Sequence, residues 1–126
     1  MRTVFDASAL LAVLFREPGA ERCVQAIDEG LIGAVNLSEV LGRLTESGAS
    51  PEQSGMALRR FDLEVVAFDA DLAQATAELR PLTRSKGLSL GDRACLALAR
   101  REGARVLTAD RAWADLALDI EIEVIR

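Results

Sequence analysis

The sequence contains no histidine and no tyrosine, a single lysine (Lys86) and two cysteines among 126 residues, and aromatic side chains make up only 4% of it. Without histidine, Ser–His–Asp triads, Cys–His dyads, histidine acid–base ribonuclease chemistry and ordinary zinc hydrolysis are excluded. Cys23 and Cys95 lie far apart with no metal spacing and sit among helix formers, so both read as reduced core thiols. Few aromatics mean that the core is built from Leu, Val, Ile and Ala. Chemistry is left to carboxylates, hydroxyls, arginines, Lys86 or an oxygen-preferring metal.

The formal charge is −5, which argues against broad electrostatic binding of nucleic acid. A local basic surface is still compatible with it, and all the remaining basic residues are arginines, whose forked donors suit phosphate. Half of the residues are hydrophobic, enough for a core and for a subunit interface. The N-terminal MRTVFDASALLAVLF is interrupted by Asp6, and its apolar run is about half a membrane span. It reads as a buried strand and helix, with a cytoplasmic location and no membrane association expected.

Short apolar runs alternate with helix-period segments. Strands are expected at 2–5, near Leu31–Val35, at 63–68, 105–108 and 120–125. Helices are expected in ALLAVLF, GAERCVQAIDEG, NLSEVLGRLTESG, from Pro51 through EQSGMALRRF, in DADLAQATAELR up to Pro81, from about Gly91 to Gly103, and briefly in DRAWADL. PLTRSKGLSL reads as a basic connection. The alternation predicts one α/β domain over 1–126, a mainly parallel central sheet flanked by helices on both faces.

Four carboxylates stand where such a fold forms its sites, and each also has a structural explanation. Asp6 ends the first strand and is a good N-cap. Asn36 and Glu39 fit a capping box, with Arg43 four residues on and able to pair with Glu39. Asp92 falls in line with Cys95, Leu96 and Ala99, on the stripe that should face inward. Capping by Ser89 explains an acid in that first turn but not its inward direction. Asp110, in LTADRAW, is again a reasonable cap, and nearby Asp115 is a weaker candidate.

Taken together they mean more. Asp6 and Asp110 leave the carboxyl ends of two strands, the edge where open parallel sheets bind ligands. Glu39 and Asp92 open helices that can point to the same edge. Clustered acids need a compensating cation, and with no histidine or cysteine set the compatible ions are Mg²⁺ or Mn²⁺. Such a site suits phosphoryl chemistry. Ser8 and Thr108 are placed to hydrogen-bond the ligands.

VFDASALLAVL, NLSEVLGRL, LSLGDRACLALA and VLTADRAW, in this order, resemble the PIN-domain ribonucleases, and among them the VapC-type toxins of toxin–antitoxin pairs. The resemblance spans essentially the whole chain. It implies a PIN-like fold, a Mg²⁺/Mn²⁺ site and hydrolysis of single-stranded regions of structured RNA by metal-activated water, leaving a 5′-phosphate. The metal-binding and catalytic acids would be Asp6, Glu39, Asp92 and Asp110, supported by Ser8, Asn36 and Thr108. It further implies a homodimer and a small cognate VapB-type antitoxin that inserts a segment at the site. Trp113 stands where many relatives carry Phe and reads as core.

Arg84, Lys86, Arg93 and Arg111 are the residues expected to meet RNA phosphates near the mouth, and Arg43 is expected to orient Glu39. A haloacid-dehalogenase-type phosphatase needs a second acid where Ser8 stands, and a phosphoacceptor receiver lacks its paired N-terminal acids. The remaining alternative is a PIN-like binding module without catalysis.

Overall fold

The computed structural model describes residues 1–126. In chain order the elements are β1 (Thr3–Phe5), α1 (Ala7–Leu14), α2 (Ala20–Gln25), β2 (Gly30–Gly33), α3 (Ala34–Glu46), α4 (Pro51–Arg59), β3 (Glu64–Val66), α5 (Ala70–Glu78), α6 (Arg80–Thr83), α7 (Leu90–Glu102), β4 (Arg105–Thr108) and β5 (Ile122–Val124). Short 3₁₀ turns occupy 27–29, 84–86 and 111–115. The five strands form one sheet in the order β3-β2-β1-β4-β5, and every pairing is parallel.

Successive strand side chains point to opposite faces, and the core divides accordingly. Val4, Leu31 and Val106 look one way, onto α5, α7 and the buried Trp113. Phe5 and Leu107 look the other way, onto α1 and α2, while Ile32 meets α1 and α3 with Phe61 and Leu58 packed against them. Helices therefore cover both faces of the sheet, giving three layers. Helix α1 buries Ala7, Ala9, Leu10, Leu11 and Ala12, which accounts for its nearly unbroken apolar sequence.

Several element ends differ from the sequence expectation. The strand expected near Leu31–Val35 spans Gly30–Gly33, and α3 starts at Ala34 with Gly33 in extended conformation at its cap. Asn36 is thus inside the helix rather than its N-cap, so the expected box with Glu39 does not form. A tertiary bond overrides the capping preference: Asn36 is fully buried and its Nδ2 donates to the Gly91 carbonyl at 3.1 Å. Pro81 does not simply stop a helix. It lies in the first turn of α6, which needs no N–H there, and the supposed loop is largely helical up to Lys86.

Pro51 does open α4, behind a capping box of Ser50 and Gln53. Cys23 and Cys95 are buried free thiols, and burial pushes the Cys23 thiol up to about 11. Helix α7 is more deeply enclosed than a one-sided amphipathic stripe would be. From Ala94 to Ala99 every residue is buried, because α7 contacts the sheet, α3 and α5 at once. No helix is long and apolar enough to cross a membrane.

Candidate active site

Strand order fixes where the acids meet. Chain progression runs one way from β1 to β2 and β3, and the other way through β4 and β5, so a crevice opens beyond the carboxyl ends of β1 and β4. Asp6 follows β1 directly and Asp110 lies two residues past β4. The second turn of α3 and the first turn of α7 bring Glu39 and Asp92 to the same edge. All four acids line one open cleft of ≈ 600 Å³, together with Ser8, Arg43, Glu46, Glu17, Phe15 and Arg126.

Asp6 is the most enclosed, with 5% of its surface exposed. The Ser8 hydroxyl donates to its Oδ2 at 2.6 Å and the Thr108 hydroxyl to the same oxygen at 2.9 Å. Those hydroxyls in turn accept from the Ala109 and Asp110 N–H groups, at 2.9 and 3.1 Å. The chain of bonds ties β1 to the loop after β4. Burial nevertheless lifts the Asp6 carboxyl above its ordinary value. The two hydroxyl bonds and the Ala7 backbone offset part of this, while the nearby charge of Asp92 adds to it.

Glu39 is held differently. Asn36 Nδ2 donates to its Oε1 at 3.0 Å while also bonding the Gly91 carbonyl, so one amide bridges α3, Glu39 and α7. The Glu39 carboxylate rests against Gly91: a methyl group there would stand 2.5 Å from Oε1 and 2.8 Å from the carboxyl carbon. Partial burial raises the Glu39 carboxyl; the Asn36 bond opposes this, and the charges of Asp6 and Asp92 reinforce it. Arg43 does not orient Glu39. Its guanidinium lies 6.0 Å from the Phe15 ring centroid and makes no ion pair.

Asp92 does cap its own helix: Ser89 N–H donates to Asp92 Oδ2 at 3.0 Å, and Asp92 N–H donates to Ser89 Oγ at 3.1 Å. It is half-buried at the cleft, so capping and cleft lining coexist in one side chain. Ser89→Ala is expected to lower stability by about 1 kcal/mol, since it removes one half of this reciprocal pair; urea unfolding will measure the shift. Asp110 caps the 111–115 turn, accepting from Ala112 N–H at 3.0 Å, and remains exposed. Asp115 is exposed at the end of that turn and does not line the cleft.

The acids share a cleft without being drawn into a tight cluster. No three acidic or sulfur side chains are close enough together to enclose an ion.

The expected RNA-contacting residues separate. Arg84 and Arg93 line a second cleft rather than the acidic one, Lys86 is exposed in the turn beside it, and Arg111 Nε donates to the Arg126 carbonyl at 3.0 Å. Arg43 and Arg126 are the basic residues that do line the acidic cleft. Arg43 was visible to sequence reasoning as a residue one helical turn after Glu39. Arg126 carried no local signal; its Nη1 donates to Glu17 Oε1 and to the Pro18 carbonyl across a separation of more than a hundred residues.

A wholly parallel sheet whose switch point is edged by four carboxylates defines a fold built to gather acids from distant parts of the chain. The PIN domain family model matches residues 3–118, and the chain belongs to that family. Solved structures agree on the fold. VapBC2 of Rickettsia felis, bound to a promoter DNA fragment, superposes with a TM-score of 0.78 at 19% identity over 100% of both chains. VapBC-5 of Mycobacterium tuberculosis gives 0.65 at 25% identity over 99% of this chain and 98% of that one. VapC20 of the same organism, described as a sarcin–ricin loop cleaving toxin, gives 0.69 at 16% identity over 94% and 98%. No curated protein sequence matches the chain significantly.

Proposed function

We propose that this PIN-domain protein is a Mg²⁺- or Mn²⁺-dependent endoribonuclease acting as the toxin of a toxin–antitoxin pair. The observation that carries the reading is the convergence of Asp6, Glu39, Asp92 and Asp110 on one cleft at the sheet's switch point.

The donor set fits a hard divalent cation. It offers only oxygen, and Asp6 and Glu39 both have carboxyls pushed upward by burial and by the neighbouring acids, a cost that a cation would remove. Asp6, Asp92 and Asp110 would hold the ion, with Glu39 contributing directly or through water. Such an ion supplies Lewis-acid polarisation of the scissile phosphate and lowers the pKa of water.

The protein's own part is positioning. Ser8 and Thr108 grip one oxygen of Asp6 and fix its rotamer across the β1–β4 seam. Asn36 and Gly91 fix Glu39. The first turn of α7 fixes Asp92. Such anchoring of metal-binding side chains by outer partners is what sets their geometry and basicity. A single-stranded RNA is the substrate in this reading.

A VapB-type antitoxin, a homodimeric state, a single domain over 1–126 and a cytoplasmic location belong to the same reading. The structural likeness to VapBC complexes supports the first of these.

The purified chain, freed of any antitoxin, is expected to cut single-stranded RNA with Mg²⁺ or Mn²⁺ and to stop on addition of EDTA, with 5′-phosphate ends on the products. Cleavage indifferent to EDTA would overturn the metal assignment. A folded protein that binds RNA under every metal condition and never cuts it would identify a binding module instead.

A further inference from the structure

A second cleft, of ≈ 330 Å³, is lined by Arg80, Thr83, Arg84, Gly87, Leu88 and Arg93. None of its three arginines has a carboxylate within 4.0 Å, a state they share with Arg16, Arg43, Arg59, Arg60, Arg105 and Arg111; what sets them apart is that all three line one hollow. The chain carries more acids than bases, yet no acid lines this hollow.

Their placement also runs against local electrostatics. Arg80 opens α6 and Arg84 opens the 3₁₀ turn that follows it, and the two like charges border the same hollow. Arg93 sits just after the first turn of α7, close to the positive end of the helix dipole. Gly87, in the left-handed region at φ 66°, turns the chain so that the 84–86 turn and α7 border the same hollow. All three disfavoured positions become favourable once an anion lies among them.

The cleft adjoins the acidic one. Asp92 lines the first and Arg93 the second, and the two are consecutive on α7. The two clefts therefore lie on different sides of the same helix end.

We infer that the Arg80–Arg84–Arg93 cleft is a phosphate-binding subsite that holds the backbone of the RNA strand beside the scissile bond. This rests on the nuclease reading for its substrate. Forked guanidinium donors match phosphate oxygens, and an acidic protein needs such an anchor to hold a polyanion near its own carboxylates.

The test compares Arg80→Ala/Arg84→Ala with Arg59→Ala/Arg60→Ala, a pair of exposed arginines on and just after α4. The probe is a fluorescent single-stranded oligoribonucleotide, followed by anisotropy in EDTA across a salt series and by cleavage in Mg²⁺ or Mn²⁺. The cleft variant is expected to bind roughly tenfold more weakly at moderate salt, with its log K against log salt slope shallower by about 1.4, two phosphates at about 0.7 each. KM should rise by a similar factor with kcat little changed, and the α4 pair should behave as wild type.

Equal losses in both variants, or none in the cleft variant, would overturn the subsite. So would a wild type that binds no RNA, or a cleft variant that loses only binding to an acidic protein partner. A wild type that binds RNA through this cleft yet never cuts it would leave the subsite standing and sink the nuclease reading.

Discussion

Replacing Asp6 by asparagine is expected to give a protein that melts higher and cuts RNA at least ~10³-fold more slowly. The rate loss follows from the proposed function: Asp6 is the most enclosed acid of the cleft, and several kcal/mol of charge stabilisation would disappear with the cation it would help to hold, at 1.36 kcal/mol per tenfold. The stability gain follows from burial. Desolvation raises the Asp6 carboxyl above its ordinary 3.8 despite the Ser8 and Thr108 bonds. A folded value above the unfolded one means that the fold favours the protonated acid. Its favourable contribution is complete below pH 3.8 and is lost as pH rises through the raised value, so at neutral pH the ionised side chain is a net cost.

Asparagine keeps an oxygen for both hydroxyls and removes the charge. Calorimetry should therefore show Asp6→Asn melting a few degrees above wild type at pH 7, with the gap closing toward acid pH. Millimolar Mn²⁺ should raise the wild-type Tm and leave the variant's unmoved. A variant that melts lower at pH 7, or that keeps its metal response, would contradict the assignment.

Gly91→Ala is expected to separate stability from activity in the other way. Alanine is the better helix former by roughly 0.5–1 kcal/mol, and the three nearest atoms its methyl meets belong to the end of a flexible side chain, the Glu39 carboxylate. The helix should form at least as well, while Glu39 is pushed off its seat and away from Asn36. Displacing a supporting group at a metal site typically costs 10–100-fold in activity or metal affinity. Initial rates should fall by that factor with a Tm equal to or above wild type. A variant with full activity would show that the position of Glu39 does not matter to the reaction.

These two residues also mark the limit of sequence reading. Asp6 was legible because a carboxylate directly after a short apolar strand is a local pattern, and the Ser89–Asp92 pair was legible for the same reason. The three-layer α/β arrangement followed from the alternation of strand and helix patterns. Asn36 was misplaced because local preference favours it as a cap, whereas a contact to Gly91, 55 residues away, draws it into the interior. Gly91 itself gave no signal, since nothing in LSLGDRACL says that a glutamate from α3 lies across it. The arginines were assigned to the acidic cleft by proximity in sequence, but side-chain direction around the end of α7 puts Arg93 and Asp92 on different sides.

The seam between β1 and β4 joins residues a hundred positions apart: Thr108 bonds Asp6 across a separation of 102. Contacts of that span close the largest loops and carry the largest closure entropy. During synthesis the first acid emerges long before its partners, and the set is incomplete until Asp110 has been added. Until β4 pairs with β1, the growing chain lacks the seam that anchors Asp6, so the four acids can meet only after nearly the whole chain has been made.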